Sequence, residues 1–428
     1  MTGHRGGPPR RPPHVLIVGG GIGGLCLAQG LKKSGISVTL FERDESVAVR
    51  RQGYGFHINS RGSQALHDCL PQNLYDLYLA TSSRSPEGNF ALYTAQLKQL
   101  FAKPLPPSDS APARISTGVN RETLREILLA GLGGVVRFGQ DYQRFAPLDG
   151  GRVAAHFADG TTATGDLLVG ADGANSMVRS QLVPDAAFDD LGRAIYGKTP
   201  LTRESAHWLP AVFLDGMPRV RGDNGISMGV GAYRKREPFA DATARLAPGL
   251  RLTDTSDYLR WTLSGWHDEL PISGRRFWEA RGAALHQVAI EMVTGWHPVL
   301  RRIIGEASPA ETFPFGIFAA QPVRQWDTPG VTLLGDAIHV MSPGRGEGAN
   351  TSLRDAALLM MRLTEVAARG RDLADAKDAY EQEMLRYGFE AAANSKQPYF
   401  MKAMMANRAT PGAPGALRPG AARGRVLE

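Results

Sequence analysis

Six residues near the start of the chain, Gly19-Gly20-Gly21-Ile22-Gly23-Gly24, constrain the fold more than any other feature. They follow a short apolar run, His14–Val18, and lead into a helical pattern from about Gly24 to Ser34. Gly35 ends that pattern, and a second apolar run, Ile36–Phe41, follows. Strand, helix and strand within about 30 residues make the unit of a parallel sheet with a right-handed crossover. The cluster satisfies GxGxxG through Gly19, Gly21 and Gly24. Gly19 permits the tight turn off the strand. Gly21 lets a pyrophosphate approach the backbone, and Gly24 lets the helix pack closely on the sheet. The second strand ends in Glu42, followed by Arg43. A carboxylate there accepts hydrogen bonds from a ribose and repels a 2′-phosphate. The fingerprint alone does not choose between dinucleotides.

The rest of the chain predicts an α/β protein of two lobes. Residues 120–132 read as a helix with Leu124, Ile127 and Leu128 on one face. Ala154–Phe157, a turn at Asp159-Gly160 and Asp166–Val169 read as paired strands. From about Gln181 to Thr328 the pattern is more strand-like, with many Gly, Pro and aromatic residues. Val331–Leu334 is again a short buried strand, and Leu353–Ala368 and Leu373–Tyr387 read as helices. A discontinuous Rossmann-like domain (14–180 and 329–400) is therefore expected, with an inserted β-rich substrate domain (181–328) and C-terminal helices. Residues 1–13 and 410–428, rich in Pro, Gly and Arg, are expected to be disordered tails.

The net charge of +7 would suit a nucleic-acid or membrane surface if it were gathered on one face. It is not: residues 1–13 and 404–428 each carry net +3. No nucleic-acid partner is expected. Cys26 and Cys69, the only cysteines, make neither a disulfide framework nor a zinc site, so no metal is expected. No apolar run approaches a membrane span, and no apolar leader segment is visible. A cytoplasmic enzyme is the expectation.

Two further segments carry a resemblance. One is the run from Asp166 to Arg179, DLLVGADGANSMVR; the other is Leu334 to His339, LGDAIH, followed by Pro343, Gly346, Gly348, Ala349 and Asn350. The chain resembles the class A flavoprotein monooxygenases, the family of para-hydroxybenzoate hydroxylase and the tetracycline-modifying hydroxylases, over roughly residues 14–400. The first segment matches the family's DG motif and the second its GD motif. Val119 to Arg125 resembles the helix start whose first arginine contacts FAD, and Gln52 to Ile58 resembles a strand passing near the flavin ring. The resemblance implies FAD as cofactor. It assigns Arg121 to the pyrophosphate, Asp172 to the face shared with the nicotinamide, Asp336 to the ribityl hydroxyls, and Gly348, Ala349 and Asn350 to the pyrimidine edge. It implies NADPH or NADH as co-substrate, and O2 activation as a flavin C4a-hydroperoxide that hydroxylates a small aromatic or polyketide-like molecule.

Alternatives for the same residues stay open. Asp336 could cap a helix, Asp172 and Arg179 could form a surface ion pair, and Arg125 reads as a structural surface residue. His57 is the candidate general base, since its strand should pass the flavin. His339 is expected to orient the loop after Asp336. Arg193 and Tyr196 open the inserted lobe. Val340 stands where the family often has proline, and Arg345 and Glu347 place opposite charges in the glycine segment. The rival enzymes are a flavin halogenase and a flavin oxidase or desaturating reductase. Against the first, Trp261 and Trp266 do not form the WxWxIP motif of tryptophan halogenases. A non-enzymatic nucleotide-sensing module is the rival of another class.

Overall fold

The structure, a computed structural model, describes residues 12–46, 54–84, 86, 88–105, 113 and 115–397. Both expected tails fall outside these residues, apart from Pro12 and Pro13, and so do Gln52 and Gly53.

A five-stranded parallel sheet is built in the order Val331–Leu333, Leu167–Gly170, His14–Val18, Ser37–Phe41, Val136–Arg137. Its inner strands are continuous apolar runs because both faces are covered by other elements. Val15, Leu16 and Ile17 have no exposed surface. The helix Ile22–Lys33 packs on the sheet, and the helix Gly348–Arg369 packs on that helix. The second contact is close: a Cβ on Gly23 would lie 2.1 Å from the Ser352 hydroxyl. The chain thus returns, after more than 300 residues, to the helix that follows its glycine cluster.

One expected pairing is corrected. Val153–Phe157 pairs antiparallel with Thr162–Gly165 across the turn, not with the run beginning at Asp166. Leu167–Gly170 is fully buried and joins the parallel sheet instead. The two runs differ in burial: Thr162–Gly165 is mostly solvent-facing, whereas Leu167-Leu168-Val169 needs cover on both faces.

The second sheet has seven strands in the order Phe313–Ala320, Phe188–Pro200, Tyr258–Gly265, Ser227–Tyr233, Met217–Arg221, Asn89–Thr94, Gln99–Pro104. Its last two strands come from the stretch read from sequence as part of the first lobe. Asn89–Thr94 pairs parallel with Met217–Arg221, so backbone hydrogen bonding takes this hairpin to the other sheet. The 181–328 stretch also holds more helix than expected: Ser205–Trp208, Ala211–Asp215, Phe239–Leu246, Gly274–Glu279, Gly282–Met292 and Pro298–Gly305. Most of these cover one face of the seven-stranded sheet. Leu259, Trp261 and Leu263 point into that core with Phe213, Phe277, Leu285 and Ile303. Strand alternation sends Tyr258, Arg260 and Thr262 to the opposite face. That face meets the first lobe, where Asn120 donates to the Tyr258 hydroxyl at 3.2 Å.

Candidate cofactor and substrate site

The glycine cluster adopts the turn its composition predicts. Gly19 has φ +111°, and a Cβ there would lie 2.4 Å from the Ala171 carbonyl oxygen. A Cβ on Gly24 would lie 2.2 Å from the Gly19 oxygen. Gly21 differs, because a Cβ there would meet nothing within 4 Å. It is the N-cap of Ile22–Lys33, with no side-chain cap and no acidic residue in the first turn. The helix thus presents its positive end and unpaired N–H groups to open space, the condition for receiving phosphate.

Glu42 closes the turn. Its carboxylate accepts from Gly20 N at 2.8 Å and Asp44 N at 3.0 Å. Arg125 lies 3.7 Å from the same carboxylate and donates through Nε to Gly20 O at 3.0 Å. Arg125 is therefore a largely buried brace of the glycine turn, not the surface residue expected. Its place one helical turn beyond Arg121, on the face presented to the sheet, was the available signal. Arg43 is exposed.

These contacts set up a contrast between two substitutions. Gly21→Ala should change unfolding stability by no more than about 1 kcal/mol, a weaker N-cap being offset by lower chain entropy. It should still lower FAD content, because the methyl fills the open cradle. Gly24→Ala should cost about 1–3 kcal/mol or more from overpacking against backbone. Thermal unfolding and the flavin content of the purified proteins separate the two.

The DG and GD segments meet through an arginine. Arg179 donates to Ala174 O at 2.8 Å and Ala337 O at 2.9 Å, and stacks over Phe188 with its Cζ 4.6 Å from the ring centre. It makes no salt bridge to Asp172, so the surface ion pair considered above does not form. Asp172 instead accepts from Met177 N at 2.8 Å and Val178 N at 3.3 Å, which caps the helix Met177–Leu182. Its other oxygen is buried without a partner. Burial raises its pKa, against the hydrogen bonds that favour the carboxylate.

Asp336 lies in a 3-10 turn, Gly335–Ala337, and caps no helix. Its carboxylate makes no hydrogen bond to the described residues. The residue is exposed by surface area, yet desolvation raises its pKa, with Asp355 adding to the rise and His339 and Arg121 opposing it. Asp336 is thus accessible, yet flanked closely enough by protein to be desolvated. The turn itself is fixed from behind. Asp355 accepts from Gly335 N at 2.8 Å, from His339 Nε2 at 2.7 Å and from the Tyr387 hydroxyl at 2.6 Å. Asp355 and His339 have no exposed surface. His339 therefore orients the loop, as expected from the sequence.

Other expected site residues lie near Asp336. Arg121 starts the helix Arg121–Leu129, donates to the Tyr54 hydroxyl at 3.0 Å and acts electrostatically on Asp336. Gly348, Ala349 and Asn350 form the first turn of Gly348–Arg369; a Cβ on Gly348 would lie 3.9 Å from Asp336 Oδ1. The Asn350 side chain is fully engaged, donating to His57 O at 2.9 Å and Gly346 O at 2.8 Å and accepting from Asn59 N at 2.9 Å. Only the backbone N–H groups of this turn remain for a ligand. Glu347, a departure from the family pattern, accepts from Asn59 Nδ2 at 3.2 Å.

The Asn350 bond also ties the helix start to the strand Gly55–Ile58, which carries His57. His57 has its pKa lowered to about 4, by burial and then by Arg260. Tyr54, Tyr196 and Phe313 pack together at the start of this strand, the last two rings stacked at 5.1 Å. Tyr196 is buried and accepts from Gly55 N at 3.0 Å. Arg193 lies elsewhere, paired with Asp190 at 2.8 Å and facing Trp278 and Phe318.

An open cradle at Gly21, an unpaired acceptor at Asp336 and free N–H groups at Gly348–Asn350 fit the phosphate, ribityl and pyrimidine parts of a flavin dinucleotide. Fold and site together define a dinucleotide-binding flavoprotein. The comparisons with known proteins agree. The family model described as "FAD binding domain" matches residues 13–190 and 293–395. A dual O-methyltransferase/FAD-dependent monooxygenase, CTB3 of Cercospora beticola, is 31% identical over 387 residues, which is 85% of this chain and 43% of that protein. The chain spans less than half the length of such dual-function relatives. FAD-dependent monooxygenase thnD of Trichoderma harzianum is 28% identical over 90% of this chain and 92% of its own length. Among solved structures, a FAD-containing monooxygenase candidate from Photorhabdus luminescens superposes with a TM-score of 0.77 at 31% identity, covering 90% of this chain and 96% of that one. The chain belongs to the FAD-binding-domain family, whose members similar to it include proteins named as FAD-dependent monooxygenases. Its cofactor is FAD. No helix among the described residues is long and apolar enough to cross a membrane, and no cluster there suits a metal ion.

Proposed function

We propose that this chain is a cytoplasmic NAD(P)H- and O2-dependent monooxygenase that hydroxylates an aromatic or polyketide-like small molecule. The observation that carries this reading is Asp336: an accessible carboxylate without a hydrogen-bond partner among the described residues, near Arg121 and the helix N-terminus at Gly348. When bound there, FAD supplies reduction by a nicotinamide and oxygen activation. The remaining work belongs to the chain. The Gly19–Gly24 turn and Arg121 hold the phosphates, Glu42 the ribose, Asp336 the ribityl hydroxyls, and Gly348, Ala349 and Asn350 the pyrimidine edge through their N–H groups. Asp172 positions the DG loop on the nicotinamide side. Tyr54, Tyr196 and Phe313 wall the substrate side and exclude water. His57 is uncharged at neutral pH and too weak a base to ionise an ordinary phenol, so it serves as a hydrogen-bond acceptor for a substrate hydroxyl. Similarity to a Pseudomonas fluorescens protein named as a 6-hydroxynicotinate 3-monooxygenase, 26% identical over 85% of both chains, supports a hydroxylated aromatic substrate.

Acid precipitation should release FAD, and a panel of phenols and polycyclic aromatics should contain compounds that accelerate NAD(P)H oxidation and O2 uptake. The product should gain one oxygen atom, with no dependence on chloride or bromide. Halide dependence would favour the halogenase. A desaturated product with no added oxygen would favour the oxidase.

A further inference from the structure

We propose that Tyr54 is a positioning residue for FAD: it holds Arg121 toward the flavin phosphates, and the seven-stranded sheet holds Tyr54 in turn. This deepens the reading above and rests on it for Arg121 as a phosphate ligand. Tyr54 immediately precedes the strand Gly55–Ile58. Besides walling the substrate side, its contacts run toward the cofactor.

Arg121 depends on this one side chain. Its Nη1 donates to the Tyr54 hydroxyl at 3.0 Å, and its Cζ lies 5.3 Å from the Tyr54 ring centre. Its backbone N–H donates to Tyr54 O at 2.9 Å. Among the described residues no other side chain hydrogen-bonds the guanidinium, and no carboxylate forms an ion pair with it. Asp336 acts on it electrostatically but makes no bond to it. A long arginine side chain loses much rotamer freedom when it is fixed on a ligand. The Tyr54 contacts remove that freedom before the ligand arrives, which is preorganisation. One donor of the guanidinium fork is used, and the others stay open for a phosphate.

The ring that makes these contacts is itself fixed from the other lobe. Tyr54 packs on Tyr196 at 5.2 Å and on Phe313 at 5.8 Å, ring centre to ring centre. Those two residues are cross-strand partners in the seven-stranded sheet, their rings 18° from parallel. The Tyr196 hydroxyl adds a second hold. It accepts from Gly55 N at 3.0 Å and donates to Gly55 O at 3.4 Å. Tyr54 is thus held by its ring, and the residue after it by its backbone. Tyr54 can swing away from Arg121 only by giving up both aromatic contacts. The register that sets Tyr196 opposite Phe313 therefore helps to orient a cofactor ligand on the other lobe.

The test is titration of the full-length protein, freed of its flavin, with FAD and with riboflavin, followed by flavin fluorescence. Riboflavin has the ring system and ribityl chain without the phosphates. Tyr54→Phe keeps the aromatic ring and loses only the hydroxyl. It should weaken FAD binding about 3- to 10-fold, the range of one hydrogen bond, and leave riboflavin binding unchanged. Arg121→Met should weaken FAD binding further, and adding Tyr54→Phe to it should change little more, as expected of residues that act through one another. Phe313→Leu should weaken FAD binding about 2- to 5-fold in the parent and have no effect on top of Tyr54→Phe. Equal or tighter FAD binding by Tyr54→Phe would overturn the proposal. Equal losses for FAD and riboflavin would do the same, because packing alone would then explain them, and so would additive losses with Arg121→Met. The same loss from Phe313→Leu in both backgrounds would overturn the hold from the second sheet. Full FAD affinity in Arg121→Met would remove the phosphate assignment and the proposal with it. Weak binding there, with parent-like binding in Tyr54→Phe, would refute the proposal and leave that assignment standing.

Discussion

Asp355→Ala is expected to destabilise the fold by about 3–5 kcal/mol, the cost of breaking a fully buried charge pair by removing one partner. The Asp355 carboxylate accepts from Gly335 N, His339 and Tyr387 at once, so the substitution orphans three buried donors. A pH signature identifies the cause. Burial alone would lower the His339 pKa, but Asp355 outweighs it and the net shift is upward. The folded value thus lies above the unfolded one. The stabilisation is complete below about pH 6.5 and fades as pH rises through the raised folded value. Thermal melts of the parent across this window should include that decline, and Asp355→Ala should lack it. A variant that melts within 1 kcal/mol of the parent, or keeps the same pH slope, would refute the role assigned to the pair.

Asp336→Ala is expected to strip FAD from the purified protein while leaving the apoprotein at least as stable. The ribityl hydroxyls would lose a buried acceptor, at about 1–3 kcal/mol, or roughly 5- to 150-fold in affinity. Stability should move the other way. The fold raises the Asp336 pKa, so the folded state holds its proton more tightly than the unfolded chain does. Stability then falls as pH rises from the unfolded value through the folded one, and at neutral pH the carboxylate is a burden that alanine removes. Asp172→Ala should show the reverse: a loss of about 1 kcal/mol from the missing cap on Met177–Leu182, and a smaller loss of FAD. Equal flavin occupancy in the two variants would sink this division of roles. The comparison needs only absorbance ratios and melting curves of the proteins as isolated.

How much of this was legible in the sequence follows from the kind of interaction involved. The glycine turn, the Glu42 position and the parallel strands around them could be read directly, because each depends on local sterics and short apolar runs. The Gly335–His339 turn could be located, but the bonds that Asp355 and Tyr387 make behind it could not. Nothing in one sequence links a residue to partners 20 and 32 positions away. The Asn89–Thr94 hairpin, inside the stretch 14–180 read as the first lobe, joins the other sheet, because strand pairing is not a local property. Arg125 reads as a surface residue, and a surface ion pair stands as an alternative for Arg179, because arginine is usually found there. Their carbonyl partners, Gly20 and Ala337, become neighbours only after the sheet has formed.

The Arg179 clamp bears on how the protein is made. It joins two loops whose contact residues are 158 positions apart, and the strand beside it waits equally long for its neighbour Val331–Leu333. During synthesis the Leu167–Gly170 edge therefore emerges with its outer row of backbone groups unpaired, and stays so until the segment after the inserted lobe leaves the ribosome. An apolar open edge of this kind recruits other strands, so the chain is most exposed to aggregation over that interval. Cofactor capture must come later still, since Asp336 and the Gly348 turn follow the edge strand. Slow translation through the inserted lobe should therefore favour aggregation even when FAD is plentiful.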